Sequence, residues 1–520
     1  MQYHIHCNKG DVGRYVFLPG DPGRCQSIAS YFDNPVHIGM NREYNIYTGT
    51  MLGRKVGGTG RREYDCEWDE ALFEQFRNCG FNIIRFGITW DAVEPQPGKY
   101  NDDYLDSLAK ILDKCAENGF YCYLDMHQDL YSSFEDKDGF GDGAPAWACL
   151  DGGHKYKAHR FVWAEGYFFN KAVHKCFDNF WANAEVNGRG LQDWYCDMWA
   201  HVVGKLGSHP AVIGFDVMNE PFMGSDGGVI FRKLILELIK VTLCDRSISL
   251  IELAKTLLIK ERRLHIADQY TAYHLRKVTS AADSIVRRFD TCKYTPFINK
   301  AAEEIRRENK SGIIFLENSY YSNLAIPCAA GEVTVGGKRD ESFAYAPHAY
   351  DIVADTPMYK YAGTDRMTAL LAEPRRMQER LNIPVVFGEW GGFQPDTDWY
   401  YHCEFILDTF DKYHWSDTYW AYFDGLFDSE LPVRVLKRPY PRAVAGRIIE
   451  YRHDRSEGSF SLSFEQDKSC KAPTEIYAHK AVRAVESDLK YTVTEADGGY
   501  IVAFKGGKNG IHDIKITFCE

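Results

Sequence analysis

No stretch of this 520-residue sequence stays apolar long enough to cross a bilayer, which takes about 20 residues; an integral helical membrane protein is excluded. Nor is there a long basic run. Lys and Arg total 61 against 73 Asp and Glu, a net charge of −12, and that balance argues against a nucleic-acid partner. The 15 cysteines are scattered without metal-ligand spacing, and the sequence shows no site for a metal or an organic cofactor. Their odd number and lack of a framework point to reduced thiols. The opening residues MQYHIHCNKGDVGRY contain no apolar signal-peptide core, and a cytoplasmic location is expected.

What the sequence does have is aromatic surface and a regular rhythm. Aromatics make up 14% of residues, which suits both flat sugar-binding clefts and a large core. From residue 68 onward helical and strand patterns alternate, the signature of βα units around a parallel sheet. An amphipathic helix at 68–79 leads to the strand NIIRF at 82–86. A second helix at 106–118 leads to YCYLD at 121–125. Further strands are expected at 212–217, 313–317, 343–348, 384–388 and 418–422. These make seven strands, where a closed barrel of this type needs eight.

Residues 230–290 interrupt the rhythm with three helical patterns, too many for one βα loop. They are either a rim-packing insertion or a lid over an amphiphilic substrate. After 445 the texture changes to short alternating segments separated by Gly-rich turns, as in a small antiparallel β-sandwich over 446–520. The expected fold class is therefore α/β: a (β/α)8 barrel over 58–445 with a helical insertion, followed by that sandwich.

Two carboxylates stand where such a barrel places its chemistry. The buried strand in GFDVMNEPF, 214–222, runs out into Asn219 and Glu220, and PVVFGEW, 384–390, ends in Glu389. Strand C-termini form the catalytic face of a (β/α) barrel. Hydrolysis of a glycosidic bond needs one protonated and one ionised carboxyl flanking it, so a pair of strand-end Glu residues points to that reaction.

Further matches fall in order along the chain: Arg85 in NIIRFGITW, EPQPG at 94–98, His127 in LDMHQDLYS, DGAPAWA at 142–148, FDNFW at 177–181, His348 and Tyr350 in YAPHAY, Trp420 in TYWAYFDG, and RPYPRAVAG at 438–446. On these, residues from about 58 resemble glycoside hydrolase family 5, and within it the endoglycoceramidase-like branch. The resemblance implies Glu220 as acid/base and Glu389 as nucleophile of a retaining mechanism. It implies that Asn219 bonds the sugar 2-hydroxyl, that Arg85 and Tyr350 keep Glu389 ionised, and that His127 and His348 line the reacting subsite. Trp420 would stack under the sugar, and Asp129 and Trp163 would contact it. The implied substrate is a glycolipid cleaved between glycan and ceramide. A family 5 glucanase or β-glucosidase without lipid preference remains open, as does a glycan-binding protein that has lost catalysis.

Residues 1–57 have a different character. The runs KGDVGRYVFLPGDPGRCQ and NREYNIYTGTMLGRKV resemble the N-terminus of uridine phosphorylases, which implies a fragment of foreign origin ahead of the barrel in the sequence. In that family Gly20, Arg24 and Arg42 would belong to a phosphate cradle, because backbone N–H groups and guanidinium suit phosphate oxygens. The nucleobase- and ribose-binding parts have no counterpart, so phosphorolysis is not expected. The family 5 first strand has no convincing copy either; segments 44–50 and 54–57 are the candidates to replace it.

Overall fold

The computed structural model describes residues 29, 32–41, 44–51, 54–57, 68, 70–134, 141–157, 163–258, 265, 267–354, 356, 358–392, 397–423 and 426–519. The chain divides into two compact units, Met1–Glu67 and Trp68–Glu520, ten residues beyond the boundary read from the sequence. In the first unit the strands Asp33–Asn41, Tyr44–Met51 and Arg54–Gly57 form an antiparallel meander. Both segments considered as a replacement barrel strand are hydrogen-bonded into this meander. Gly20, Arg24 and Arg42 lie outside the described residues.

The second unit opens with the helix Glu70–Asn78, which buries Leu72, Phe73 and Phe76. The chain turns at Gly80 and enters the strand Ile83–Thr89. The helix Asp102–Glu117 shows why the βα rhythm was readable. Its buried Tyr104, Leu105, Leu108, Ile111, Leu112 and Cys115 recur at helical spacing. The Asn101 side chain caps it by accepting from Tyr104 N.

Ile83–Thr89, Tyr121–His127, Val212–Asp216, Ile313–Leu316 and Phe343–Tyr345 pair side by side in chain order, all parallel. The ladder continues through a Tyr345–Val385 bridge, then His348–Ala349 with Glu389–Trp390 and Val386–Phe387 with Ser416–Asp417. That is a (β/α) barrel with seven strand positions filled among the described residues. No described strand pairs with the outer edge of Ile83–Thr89 or of Ser416–Asp417. Between these edges lies a cavity of about 620 Å³ lined by Ile84, Arg85, Asp417, Trp420, Tyr422 and Tyr440, with others. Side chains bridge part of the gap: Phe76 packs edge-on against Tyr422 with ring centroids 5.6 Å apart, and Tyr440 Oη donates to Gly80 O at 2.7 Å.

The insertion is helical as expected but more broken. After Ser225–Cys244 and Leu250–Leu258, the third pattern divides into Ala272–Thr279 and Asp283–Phe289 around a 3-10 turn. An Arg276–Asp283 ion pair spans the break. A π-turn, Asp290–Tyr294, then leads into Thr295–Glu308. The insertion helices pack beside Thr364–Leu381 and the helices Glu165–Phe169 and Lys171–Trp181 at the rim.

The C-terminal part is a sandwich of two four-stranded sheets. It begins at Tyr440–Ala443 rather than at 446, and Pro441 hides that strand from a period-two search. Along Ser459–Gln466 buried and exposed residues nearly alternate, sending Phe460, Leu462 and Phe464 into a core with Ile476, Val502 and Ile516. The sandwich is tied to the barrel by an Arg77–Asp497 ion pair at 2.8 Å and by the ring of Tyr477. A Cβ on Gly80 would sit 2.4 Å from that ring.

Candidate active site

Arg85 organises the barrel mouth. It is the third residue of Ile83–Thr89, and its side chain is 4% exposed. Its guanidinium donates to Glu389 Oε1 at 2.5 Å, Glu317 Oε1 at 2.7 Å and Asn219 Oδ1 at 2.9 Å, and lies 3.2 and 3.3 Å from Asp125 and Asp216. Burial opposes a charge, but Asp125, Glu389, Asp216 and Glu317 outweigh it and hold Arg85 more firmly protonated than in water. Only a planar fork of five donors serves so many acceptors at once.

Glu220 and Glu389 meet over this cation. Carboxylate oxygens of both, with a ring nitrogen of His348, lie within 4.8 Å of one another. Retaining glycosidases hold their carboxyl pair about 5–5.5 Å apart and inverting ones about 6.5–9.5 Å apart, where an attacking water must fit between. Facing oxygens this near to each other accord with the first geometry.

The two carboxyls are held differently. Glu220 Oε1 accepts from Asn323 Nδ2 at 2.7 Å and lies 2.8 Å from His348 Nδ1. Its backbone φ of 41° is left-handed, and its N–H donates to Glu317 Oε2 at 2.6 Å, which fixes this uncommon conformation. Burial raises the Glu220 pKa, and repulsion from Glu389 and Glu317 adds to that against His348. Glu389 is also penalised by burial, but His348, Arg85 and His127 overcome the penalty and lower its pKa. Tyr350 Oη donates to Glu389 Oε2 at 3.1 Å. One carboxyl is thus set to keep a proton and its neighbour to lose one.

His127 ends the strand paired with that of Arg85. Its Nδ1 is 2.8 Å from Asp125 Oδ2, and its ring stacks on Trp420 at 4.8 Å and 12°. Burial works against its charge, but Asp125 and Asp129 raise its pKa well above the usual histidine value. Asp129 lies 3.7 Å from His127 Nε2, and burial pushes its carboxyl up to about 8. Trp163 packs edge-on to Tyr167 at 5.9 Å. The Tyr167 hydroxyl accepts from Leu130 N and Gln128 Nε2, so Trp163 packs on the shell that supports the His127 loop.

Arg85, His127, Asp129, Asn219, Glu220, His348, Tyr350, Glu389 and Trp420 are therefore brought together in one network. Sequence reasoning missed Asp125, Asp216, Glu317, Asn323 and Gln128. Glu317 follows Ile313–Leu316 as Glu220 follows its own strand, and that parallel was the available signal. Three groups of side chains have metal-ligand proximity: His127, Asp129, Asp142; Glu220, His348, Glu389; and Asp125, Asp216, Glu317. In the second and third, His348 and Arg85 already supply positive charge.

The cellulase (glycosyl hydrolase family 5) model matches residues 59–242, and the glycoside hydrolase family 5 C-terminal domain model matches 438–516. The chain carries a family 5 cellulase-like domain and a family 5 C-terminal domain. An endoglycoceramidase I from Rhodococcus hoagii is 23% identical over 451 residues, covering 82% of this chain and 75% of that protein. An endoglycoceramidase from Cyanea nozakii is 31% identical over 174 residues, 30% of this chain and about a third (34%) of its own length. The endo-glycoceramidase II of Rhodococcus sp., solved with ganglioside GM3, shares the fold with a TM-score of 0.66 at 22% identity, covering 87% of this chain and 93% of that one. A separate likeness is to a uridine phosphorylase from Treponema pallidum, 52% identical over 55 residues, 11% of this chain and 21% of that protein. It covers only that short segment.

Proposed function

We propose that the protein is a retaining β-glycosidase that hydrolyses glycolipids at the bond between glycan and lipid. The observation that carries this is the Glu220–Glu389 pair, within 4.8 Å and shifted in opposite directions. Glu389 attacks the anomeric carbon as its bond to the aglycone oxygen breaks, and the Glu220 proton goes to that oxygen. Glu220, now ionised, takes a proton from water. The water oxygen bonds to the anomeric carbon and displaces Glu389 with net retention. Asn219 bonds the sugar 2-hydroxyl, Arg85 and Tyr350 steady the nucleophile, and Trp420 lies against the sugar face.

The glycolipid assignment draws its support from the relatives named endoglycoceramidase and from the ganglioside seen in one of them. A 2-deoxy-2-fluoro-β-glucoside with a good leaving group should trap a covalent adduct on Glu389, located by peptide mass spectrometry. Glu389→Gln should lower turnover of an aryl β-glucoside and of a fluorescent glycosphingolipid by about 10³-fold or more. Wild-type turnover no greater than the variant's would overturn the assignment of a glycosidase. Turnover of the aryl glucoside alone would remove the glycolipid preference.

A further inference from the structure

The helix Ser225–Cys244 is apolar on two faces, and the protein buries only one. Ile230 and Val241 are buried, and Leu234 and Leu238 are partly covered. On the other side Ile235, Leu236, Ile239 and Leu243 recur at helical spacing and face solvent, Leu236 at 67% and Leu243 at 64% exposure. The same exposure carries on in the next helix, Leu250–Leu258, where Ile251 is 69% and Leu258 80% exposed. Scattered exposed leucines need no explanation, but a stripe at helical spacing marks an interaction surface.

The charges beside the stripe indicate what it meets. Between 232 and 258 the chain has Arg232, Lys233, Lys240, Arg246 and Lys255 against Glu237, Asp245 and Glu252. This is a local excess of positive charge on a protein whose net charge is −12. Lys240 and Lys255 pair with Glu237 and Glu252 on their own helices. Arg232 and Lys233 are exposed at the start of the stripe. Leucine and isoleucine on one face with basic side chains beside them suit the boundary between lipid headgroups and acyl chains, where anionic lipid adds attraction to apolar burial. No helix among the described residues is long and apolar enough to cross a membrane; an exposed apolar stripe flanked by basic side chains suits a helix lying in the interface plane.

The place of this helix in the fold gives the surface a purpose. It starts five residues after Glu220, directly beyond the catalytic strand end. Leu236 lies eleven residues further on, about 16 Å along the axis at about 1.5 Å per residue. We propose that the exposed face of Ser225–Cys244, with the neighbouring face of Leu250–Leu258, docks the enzyme on an anionic lipid bilayer, holding the barrel mouth near the headgroups of its substrate. This rests on the glycolipid assignment above and adds to it a surface that acts outside the sugar site.

The test compares the full chain with the triple variant Leu236→Glu, Ile239→Glu, Leu243→Glu and with Arg232→Glu, Lys233→Glu. Vesicles of phosphatidylcholine, with and without phosphatidylserine, are sedimented with each protein. The wild type should bind, and more tightly when phosphatidylserine is present. The triple variant should lose about tenfold or more in vesicle affinity and in hydrolysis of a vesicle-held glycolipid. The charge variant should lose its preference for phosphatidylserine. Both should hydrolyse a soluble aryl β-glucoside like the wild type, which also reports that they fold. Wild-type hydrolysis of a detergent-dispersed glycolipid without any vesicle binding would overturn the docking surface and leave the glycosidase assignment standing. Vesicle binding without turnover of either substrate would do the reverse. A doubling of mass in light scattering that the triple variant abolishes, with no vesicle binding, would give the stripe to a second copy and overturn the proposal.

Discussion

Replacing Arg85 with lysine tests whether one guanidinium sets the charge pattern of the barrel mouth. Arg85 reaches Glu389, Glu317 and Asn219 at 2.5–2.9 Å and stands beside Asp125 and Asp216. A lysine ammonium has three donors and no fork, so it cannot keep both the Glu389 and the Glu317 contacts in their present directions. Loss of two of the three short contacts, at about 1.5 kcal/mol for each hydrogen bond involving a charged group, removes about 3 kcal/mol. If that stabilisation acts in the transition state, kcat/KM falls by about a hundredfold. The pH profile carries an independent sign. Arg85 is one of the groups that lower the Glu389 pKa; with its charge displaced, that pKa rises, and the acidic limb of kcat/KM moves to higher pH. The assay is kcat/KM for an aryl β-glucoside across the acidic range, with circular dichroism as the folding control. A folded Arg85→Lys protein with kcat/KM within about threefold of wild type and an unmoved acidic limb would refute the reasoning.

Trp420→Ala removes the ring stacked on His127 and should raise KM by about tenfold with a smaller change in kcat, since aromatic contacts contribute about 0.5–1.5 kcal/mol beyond their buried area; initial-rate kinetics decide it. Gly80→Ala places a methyl against the Tyr477 ring at a residue whose φ is +76° and should destabilise the protein by about 1–3 kcal/mol, read as a lower thermal midpoint. An unchanged midpoint would mean that the barrel–sandwich contact is not held tightly there. Hydrogen exchange should be faster in peptides covering 82–86 and 416–422, which flank the 620 Å³ cavity, than in those covering 121–127 and 212–216. Equal protection of the two groups would mean that the two edges are covered in solution.

Much of this arrangement was legible because long βα elements announce themselves twice, by apolar periodicity and by a polar residue where the strand ends. Asn219-Glu220 and Glu389 were found by that rule. Glu317 obeys the same rule but falls inside the strand expected at 313–317, whereas the strand ends at Leu316. Asn323 carried no such signal: it sits in the 3-10 turn Tyr320–Leu324, and only the folded chain brings it to Glu220. The later barrel strands were harder to place because they are short. His348–Ala349 and Glu389–Trp390 are two-residue pairings, held by the barrel's closure rather than by their own propensity. The break at Ser280–Ala282 in the insertion was invisible for the opposite reason, since Ser-Ala-Ala is compatible with a continuous helix and tertiary packing decides otherwise.

The cavity beside Arg85 raises the question of whether a gap in the barrel also disturbs the chemistry, and the contacts of Arg85 bear on it directly. Arg85 lines the cavity and belongs to an edge strand, where a loss of order is expected to start. Its charged partners come from elsewhere. Asp125, Asp216 and Glu317 project from the three strands on its inner side, and Glu389 reaches it from across the mouth. The proton preference of the carboxyl pair follows from burial, from His348, which stands between Glu220, Glu317 and Glu389, and, for Glu389, from Arg85 and His127. The gap therefore bears on how firmly the strand carrying Arg85 is held, and through Arg85 on the low pKa of Glu389, while His348 and burial hold the Glu220 side of the pair. A disturbance of the edge should cost stability and, where it displaces Arg85, move the acidic limb of the pH profile to higher pH.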